Sequence, residues 1–180
     1  MRQSATHKEG RGPRTMDAGR LESLALRYVG KYATTRAKLR DYLLRKLREA
    51  EWQGPVAADI EGLVERISTL GYVDDRAFAV QRGAALERRG YGARRIGLAF
   101  RAAGIEAEDG DEALATAREG ALEAALALAR RRRLGPFASV PPDRPGRERA
   151  IATLVRAGHD PALARRIVSS APDELPVEWP

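Results

Sequence analysis

The residues with the most obvious capacity for chemistry are two adjacent acids and two histidines. Asp74 and Asp75 could hold a metal ion or share a proton, but helix neighbours point about 100° apart and do not converge on one ion. They follow a Gly-Tyr-Val turn, so we interpret Asp74 as an N-cap that accepts the first free N–H groups of a helix. His7 and His159 have no second ligand spaced to complete a metal site. The sequence therefore predicts neither a metal centre nor an acid–base pair.

Motifs for nucleophilic catalysis and for phosphate binding are missing as well. The sequence has no cysteine, which excludes disulfides, thiolate metal sites and a cysteine nucleophile. The hydroxyls of Ser23, Thr34, Thr35, Ser68 and Thr69 have no general base placed by motif, and Thr34 or Thr35 is better interpreted as a helix cap. No glycine-rich loop follows a strand. We predict a protein that is not an enzyme, uses no cofactor and acts by binding.

Basic side chains are the remaining candidates, and they recur along the chain. Lys and Arg number 32 against 25 Asp and Glu, and the pI near 10.2 suits a polyanionic partner. The predicted binding surface consists of Lys31, Arg36, Lys38, Arg40, Arg45, Arg88, Arg89, Arg94, Arg95, Arg101, Arg147 and Arg149. At equivalent places on stacked units, these residues would form a positive stripe for a filament or a phosphate backbone. The alternative is a set of solvated helix faces, partly paired with the acidic segment 106–119.

Three further features carry two interpretations each. The run Arg130–Arg133 ends an Ala-rich helix, where cations interact favourably with the helix dipole; a dedicated anion contact is the alternative. Tyr72 and Tyr91 are expected to pack between helices with their hydroxyls at the surface, and base stacking is the alternative. Trp52 is expected to cover the core of its unit, and the alternative is an anchor for a partner.

The elements that position these side chains are helices. Ala, Leu, Arg and Glu are strong helix formers, and β-branched residues nowhere alternate with polar ones over the length of a strand. The clearest 3.6-residue stripe runs from Val56 through Ile60 and Ile67 to Leu70, and Gly71 stands where helices often turn left-handed. The sequence therefore predicts an all-α protein. No segment is apolar enough to span a bilayer or to act as a signal core, so we expect a cytoplasmic location.

An internal repeat relates the helices. The segment FRAAG at 100–104 matches LVRAG at 154–158, and each ends a helix. Corresponding core positions are Leu39, Ile96 and Ala150, followed by Leu43, Phe100 and Leu154. The spacings of 57 and 54 residues suit three short helices with their turns, and such units bury their faces by stacking. Chance similarity among Ala-, Arg- and Leu-rich helices is the alternative.

These patterns divide the chain into three repeats and two tails. Composition predicts that the N-terminal residues cannot bury enough apolar surface to order. The Pro-rich and acidic C-terminal stretch is predicted to be a second tail, and the Pro- and Gly-dense internal segment is a predicted loop. A break between two Ala-rich helices is expected near Arg118–Gly120. The predicted ranges are a disordered basic tail at 1–19, repeats at 20–72, 73–117 and 118–170, a Pro-rich loop at 135–146 within the third repeat, and a Pro-rich tail at 171–180.

The segment LGYVDDRAFAVQRGAALERRGYGARRIGLAFRAAGI at 70–105 resembles the RecX family of recombination regulators. The flanks at 25–46 and 148–168 agree, so the resemblance covers about residues 21–170. It implies tandem three-helix repeats, about three units and roughly nine helices, in an elongated curved body. It also implies a monomer that binds the RecA recombinase filament on DNA. There it would reduce ATPase, strand-exchange and coprotease activities in recombination, DNA repair and the SOS response.

Two other hypotheses fit the residues alone. A protein that binds single- or double-stranded DNA through the same basic helices, without a protein target, would show strongly salt-dependent affinity. A helical-repeat scaffold for another partner would show neither DNA nor recombinase binding. No membrane partner is predicted.

Overall fold

The computed structural model describes residues 15–179, so the predicted disorder of residues 1–14 lies outside the described residues. Within that range, nine α-helices carry the fold, which confirms the all-α prediction. The helices are α1 Ala18–Val29, α2 Arg36–Arg48, α3 Ile60–Thr69, α4 Asp75–Glu87, α5 Ala93–Ala102, α6 Ala107–Glu119, α7 Ala121–Arg132, α8 Arg144–Arg156 and α9 Pro161–Ser169. Two short strands, β1 Thr15–Met16 and β2 Glu51–Trp52, pair in parallel.

Residues 15–19 were predicted to belong to a disordered tail, and here the prediction is wrong. Met16 is buried, and its carbonyl accepts a hydrogen bond of 2.8 Å from the backbone N–H of Gln53. Asp17 caps α1 by accepting from the N–H of Arg20 at 2.8 Å. The burial of Met16 depends on a partner strand 36 residues along the chain, so local composition does not reveal it.

The described chain forms two compact units, unit 1 ending at Val73 and unit 2 beginning at Asp74. Unit 1 packs α1, α2 and α3 around one apolar core, in which Leu39 and Leu43 of α2 are fully buried. The apolar stripe of α3 begins at Ile60, where Asp59 caps the helix, and Val56 outside it is 74% exposed. The helical pattern therefore holds from Ile60, and Val56 belongs to the preceding loop.

Unit 2 contains two apolar cores, one under α4, α5 and α6 and one under α7, α8 and α9. Tyr91, in the turn between α4 and α5, packs against both. The side chains predicted to correspond in the repeat are all buried, at Leu39, Ile96, Ala150, Leu43, Phe100 and Leu154. The helix order is compatible with three repeats, whose boundaries remain a prediction.

The matched segments FRAAG and LVRAG end their helices in the same way. Gly104 and Gly158 have φ of 68° and 96°, a left-handed conformation that glycine adopts without a steric penalty. The next N–H bonds back to the last turn, from Ile105 to Phe100 O at 3.1 Å and from His159 to Leu154 O at 3.2 Å. Predicted caps are confirmed at Thr35, Asp74 and Asp160, and Gly71 is left-handed as expected.

The Pro-rich segment of unit 2 is shorter than predicted. A 3-10 turn covers Gly135–Phe137, and the last three residues of the predicted loop form the first turn of α8. Asp143 caps α8 by accepting from the N–H of Gly146 at 2.7 Å, and Pro145 stands in the first turn, where its missing N–H costs nothing. A break between two helices was predicted near Arg118–Gly120, and the structure places it at Gly120, between α6 and α7.

Two helix turns of unit 2 meet backbone to backbone, in what we call the turn junction: residues 90–95 against residues 157–159. Gly92 N–H donates to Ala157 O at 3.0 Å, and Arg94 N–H donates to Gly158 O at 3.3 Å. A Cβ on Gly158 would stand 2.6 Å from Arg95 Cβ and 2.9 Å from Gly92 O. The junction therefore requires glycine at position 158 for two reasons: a side chain would not fit between the turns, and the positive φ is unfavourable for other residues.

After α9 the chain has no helix or strand up to Trp179, whose ring packs on the core under α7, α8 and α9. Within residues 15–179, no helix is both long enough and apolar enough to cross a membrane.

Candidate binding surfaces

The predicted basic residues divide between the two units. Those of unit 1 are Lys31, Arg36, Lys38, Arg40 and Arg45, and the other seven belong to unit 2. Lys31, Lys38 and Arg45 are exposed, whereas Arg36 and Arg40 are half-buried. In each unit, some of these basic residues line a groove.

The groove of unit 1, here called the tyrosine groove, has a volume of about 530 Å³. It lies where the end of α1 and the following turn meet α2. Its lining residues are Leu24, Arg27, Tyr28, Lys31, Tyr32, Tyr42 and Arg45. Because Tyr32 N–H donates to Tyr28 O at 3.0 Å, the helical path continues one turn past Tyr28 and places both tyrosines on one side.

The three tyrosine rings of this groove touch. Tyr28 and Tyr42 are stacked, with ring centroids 4.2 Å apart and planes 15° apart. Tyr32 is tilted by 52° against Tyr28, with centroids 5.3 Å apart, and it is 49% exposed. Cations flank the rings: Lys31 Nζ lies 5.3 Å from the centroid of Tyr32, and the Arg45 guanidinium lies 5.7 Å from that of Tyr42. Tyr28 and Tyr42 thus form a fixed pair of rings, beside which Tyr32 stays about half exposed.

The remaining basic residues of α2 do not enter the tyrosine groove. Arg40 pairs with Glu61 of α3 at 2.7 Å, and Arg36 and Lys38 are not among the lining residues. The structure therefore brings Lys31 and Arg45 together and places Arg40 against a neutralising carboxylate.

Unit 2 has a second groove, the arginine groove, with a volume of about 300 Å³. Its lining residues are Ala93, Arg94, Gly97, Leu98, Arg101, Leu114 and Arg118. Arg94 and Arg101 stand two turns apart on α5 and therefore share a face, and Arg118 comes from α6. Gly97 is buried beneath them, and a Cβ there would lie 3.6 Å from the side chain of Leu114 and 3.7 Å from Arg101 Nη1.

The residues that line the arginine groove include three arginines and no acid. Within residues 15–179, no carboxylate pairs with Arg94, Arg101 or Arg118. The predicted pairing with the acidic segment occurs instead at Arg76, which binds Glu112 at 2.6 Å, and this hydrogen bond raises the pKa of Arg76. Glu112 of α6 thus pairs with Arg76 and not with the arginines of the groove, whose guanidinium groups are available to an anion.

Arg89 and Arg95 lie on either side of Tyr91, at 5.6 Å and 5.9 Å from its ring centroid. Tyr91 packs against both cores of unit 2, which confirms the packing interpretation for this residue. Tyr72 is 57% exposed, so the prediction that it packs between helices is wrong. It follows Gly71, which has a left-handed φ of 79°.

Trp52 covers the core of unit 1, as predicted. Its ring packs against that core, and its indole N–H donates to Val56 O at 2.7 Å. This bond ties the strand β2 to the loop before α3.

The remaining predicted residues lie at separate places on unit 2. Arg88 is exposed at the C-cap of α4, and Arg149 is exposed on α8. Arg147 donates to Pro142 O at 3.0 Å and so holds the Pro-rich loop. The run Arg130–Arg133 covers the last turn and the C-cap of α7, a position compatible with both interpretations given above. Arg131 donates to the backbone O of Arg89.

The acids and the histidine singled out in the sequence have structural roles. Asp74 accepts from Ala77 N–H at 2.8 Å and caps α4. His159 is buried in the turn junction, where its Nε2–H donates to Gly90 O at 2.9 Å. Burial lowers the pKa of His159, and the hydrogen bond to Gly90 opposes this shift only in part. In the described part of the chain, no three acids or histidines are grouped as a metal site.

Sequence reasoning missed several lining residues. Arg27, Tyr28, Tyr32 and Tyr42 belong to the tyrosine groove and Arg118 to the arginine groove. The spacing of Arg27, Tyr28, Lys31 and Tyr32, at one helical turn, was an available signal that these side chains share a face. Nothing local to Tyr42 or Arg118 indicated their partners, because each comes from a different helix.

Comparison with curated proteins identifies relatives of one kind. The chain is 34% identical over 176 residues to the regulatory protein RecX of Myxococcus xanthus (strain DK1622), covering 92% of the chain and 94% of that protein. It is 28% identical over 145 residues to the regulatory protein RecX of Agrobacterium fabrum (strain C58 / ATCC 33970), covering 78% of the chain and 77% of the relative. No protein-family profile matches the sequence.

Solved structures give the same fold. A crystal structure of a regulatory protein RecX superposes with a TM-score of 0.66 at 18% identity, over 85% of the chain and 72% of that structure. The crystal structure of RecX from Lactobacillus salivarius gives a TM-score of 0.60 at 19% identity, over 82% and 91%. At these identities the comparison establishes the helical fold.

Proposed function

Because the chain belongs to the RecX family of regulatory proteins, we propose that it binds the RecA recombinase filament on DNA and lowers its ATPase, strand-exchange and coprotease activities. It does so by occupying the filament, as a cytoplasmic monomer without a reaction of its own. The proposal extends the resemblance of segment 70–105 to the activity of this chain.

The observation that carries the proposal is the arginine groove of unit 2. Three guanidinium groups of Arg94, Arg101 and Arg118 line one concave surface without a carboxylate partner among the described residues. Each guanidinium can bind a carboxylate or a phosphate in a bidentate manner, which an ammonium cannot do. A filament of protein on DNA presents both kinds of anion.

Leu98 gives the same groove an apolar contact. It is about half exposed on α5, between Arg94 and Arg101. Interfaces concentrate their binding energy where a buried apolar or aromatic group is surrounded by polar contacts that exclude water. An exposed Leu98 surrounded by arginines therefore favours a protein surface as the partner. The charges would govern the rate at which the two proteins meet and the alignment in which they bind.

The test is a titration of the purified protein into RecA filaments on single-stranded DNA, with ATP hydrolysis as the measurement. We expect hydrolysis to fall with added protein and the double variant Arg94→Glu/Arg101→Glu to inhibit at least tenfold more weakly, because two favourable contacts become repulsive. The charge-matched control is Arg82→Glu/Arg165→Glu, at two exposed positions of unit 2 outside the groove. The control should inhibit like the unchanged protein.

Strand exchange and filament length, measured in parallel, distinguish binding from a general salt effect. Unchanged hydrolysis, exchange and length at saturating protein would refute the proposed function. Equal loss of inhibition in the groove variant and its control would leave the function standing and refute the assignment to the arginine groove.

A further inference from the structure

We propose that the tyrosine groove of unit 1 is a binding site for single-stranded DNA, in which an unpaired base stacks on Tyr32 and the adjoining phosphates contact Arg27, Lys31 and Arg45. This goes beyond the proposed function, since it places a direct nucleic-acid contact on unit 1 and needs no recombinase. Base stacking was considered from the sequence for Tyr72 and Tyr91, whereas the present proposal assigns it to Tyr32.

The ring of Tyr32 has the geometry of a stacking platform. It is 49% exposed although it is a large aromatic side chain, and its position is held by contact with Tyr28, 5.3 Å away. Tyr28 in turn is stacked on Tyr42 at 4.2 Å and packs against the core of unit 1. A base that stacks on Tyr32 therefore meets a ring already fixed by two others, so little side-chain entropy is lost on binding.

The cations around the rings provide the second half of the site. Lys31 and Arg45 lie over the rings of Tyr32 and Tyr42, and Arg27 completes the lining. Arg27 Nε donates to Ser23 O at 3.4 Å, and this partner carries no charge. The carboxylate nearest to Arg45 is that of Glu49, at 4.0 Å, and within residues 15–179 none pairs with Arg27 or Lys31.

The combination favours an unpaired strand over other anions. In a duplex the bases are stacked on one another, so Tyr32 would have no base to contact. An acidic peptide would satisfy the cations and leave the exposed ring without a planar partner. The groove, with a volume of about 530 Å³, combines aromatic rings with cations, and this combination is how proteins bind single strands without sequence preference.

The experiment measures fluorescence anisotropy of a labelled oligo(dT) with the full chain and no recombinase. Two further probes are an abasic oligonucleotide of equal length and charge and a duplex of the same length. We expect Tyr32→Ala to weaken binding to oligo(dT) at least about fivefold, the lower bound for one base–aromatic stack. Tyr32→Phe should retain binding, because it keeps the ring. Tyr72→Ala is the matched control at another exposed tyrosine and should have no effect.

The abasic probe and the salt dependence test the two halves separately. The unchanged protein should bind the abasic oligonucleotide about as weakly as Tyr32→Ala binds oligo(dT), and Tyr32→Ala should not weaken that binding further. Replacing Arg27, Lys31 and Arg45 with Ala should reduce the log–log salt slope by about 2, at about 0.7 for each phosphate contact on a single strand.

Three results would overturn the proposal: equal affinity for oligo(dT) and the abasic strand, unchanged binding by Tyr32→Ala, or preference for the duplex. Competition by an acidic peptide that is indifferent to Tyr32→Ala would assign the groove to a protein instead. Circular dichroism and the thermal midpoint confirm that each variant is folded. Because the assay contains no recombinase, its failure leaves the ATPase test of the arginine groove unaffected.

Discussion

Replacing Gly158 by Ala should destabilise unit 2 far more than the same change at Gly71 destabilises unit 1. Both glycines end or follow a helix with positive φ, 96° at Gly158 and 79° at Gly71. A Cβ on Gly71 meets nothing within 4 Å, whereas one on Gly158 presses against Arg95 and Gly92. The pair therefore separates the conformational penalty of a left-handed alanine from the cost of opening the turn junction.

The magnitudes follow from the structure. A left-handed L-residue costs about 1–2 kcal/mol, partly offset by the lower chain entropy of Ala in the unfolded state, so Gly71→Ala should cost about 1 kcal/mol. At Gly158 the turns must move apart, which weakens the bonds from Gly92 to Ala157 and from Arg94 to Gly158. At about 0.5–1.5 kcal/mol for each hydrogen bond, the total for Gly158→Ala is about 3 kcal/mol.

Urea unfolding followed by tryptophan fluorescence can measure each unit by itself. Trp52 packs in unit 1 and Trp179 packs on a core of unit 2, so Trp179→Phe leaves a probe of unit 1 and Trp52→Phe leaves a probe of unit 2. We expect the unit 2 midpoint to fall strongly in Gly158→Ala and the unit 1 midpoint to fall slightly in Gly71→Ala. If the two free-energy losses agree within about 0.5 kcal/mol, the steric argument for the turn junction is wrong.

Other predictions use the same two probes. Leu43→Ala should cost unit 1 about 3 kcal/mol through loss of a fully buried side chain, and Leu44→Ala, at a partly exposed neighbour, less than about 1 kcal/mol; equal losses would contradict the assigned core. Asp160→Ala should cost unit 2 about 1 kcal/mol, and Asp160→Asn should retain most of the stability, because either side chain can accept from the first N–H groups of α9; a loss in Asp160→Asn as large as in Asp160→Ala would count against this cap. His159 has a lowered pKa in the folded state. The stability that its neutral form contributes to unit 2 is therefore fully present above the unfolded pKa of about 6.5 and is lost as pH falls below it. The urea midpoint of unit 2 should decrease between pH 7 and pH 5, and a pH dependence that is unchanged in His159→Gln would refute this attribution.

The sequence showed which basic residues lie on the helices, but only partly how they are arranged in space. Arg94 and Arg101 were expected at the surface of one helix, and their shared face follows from helical periodicity. Arg40 was expected in the same surface, but Glu61 of α3 pairs with it. Whether an exposed arginine is available to a partner depends on which acid the neighbouring helix presents, and that is decided by helix packing.

Local chemistry in the sequence determined the helices themselves. The 3.6-residue stripes, the caps at Thr35, Asp74 and Asp160, and the glycine that ends each matched helix act over four residues or fewer, so they can be recognised along the chain. The same locality explains why a break could be expected near Arg118–Gly120, where the structure has it at Gly120.

Tertiary structure alone decided which distant residues meet. Met16 is ordered because β2 lies 36 residues away, and Tyr28 is stacked on Tyr42 because α1 packs on α2. The turn junction joins residues 90–95 to 157–159 and makes six helices one unit. These contacts depend on how helices orient when their apolar faces are buried together, a property of the whole packed chain that no short window of sequence contains.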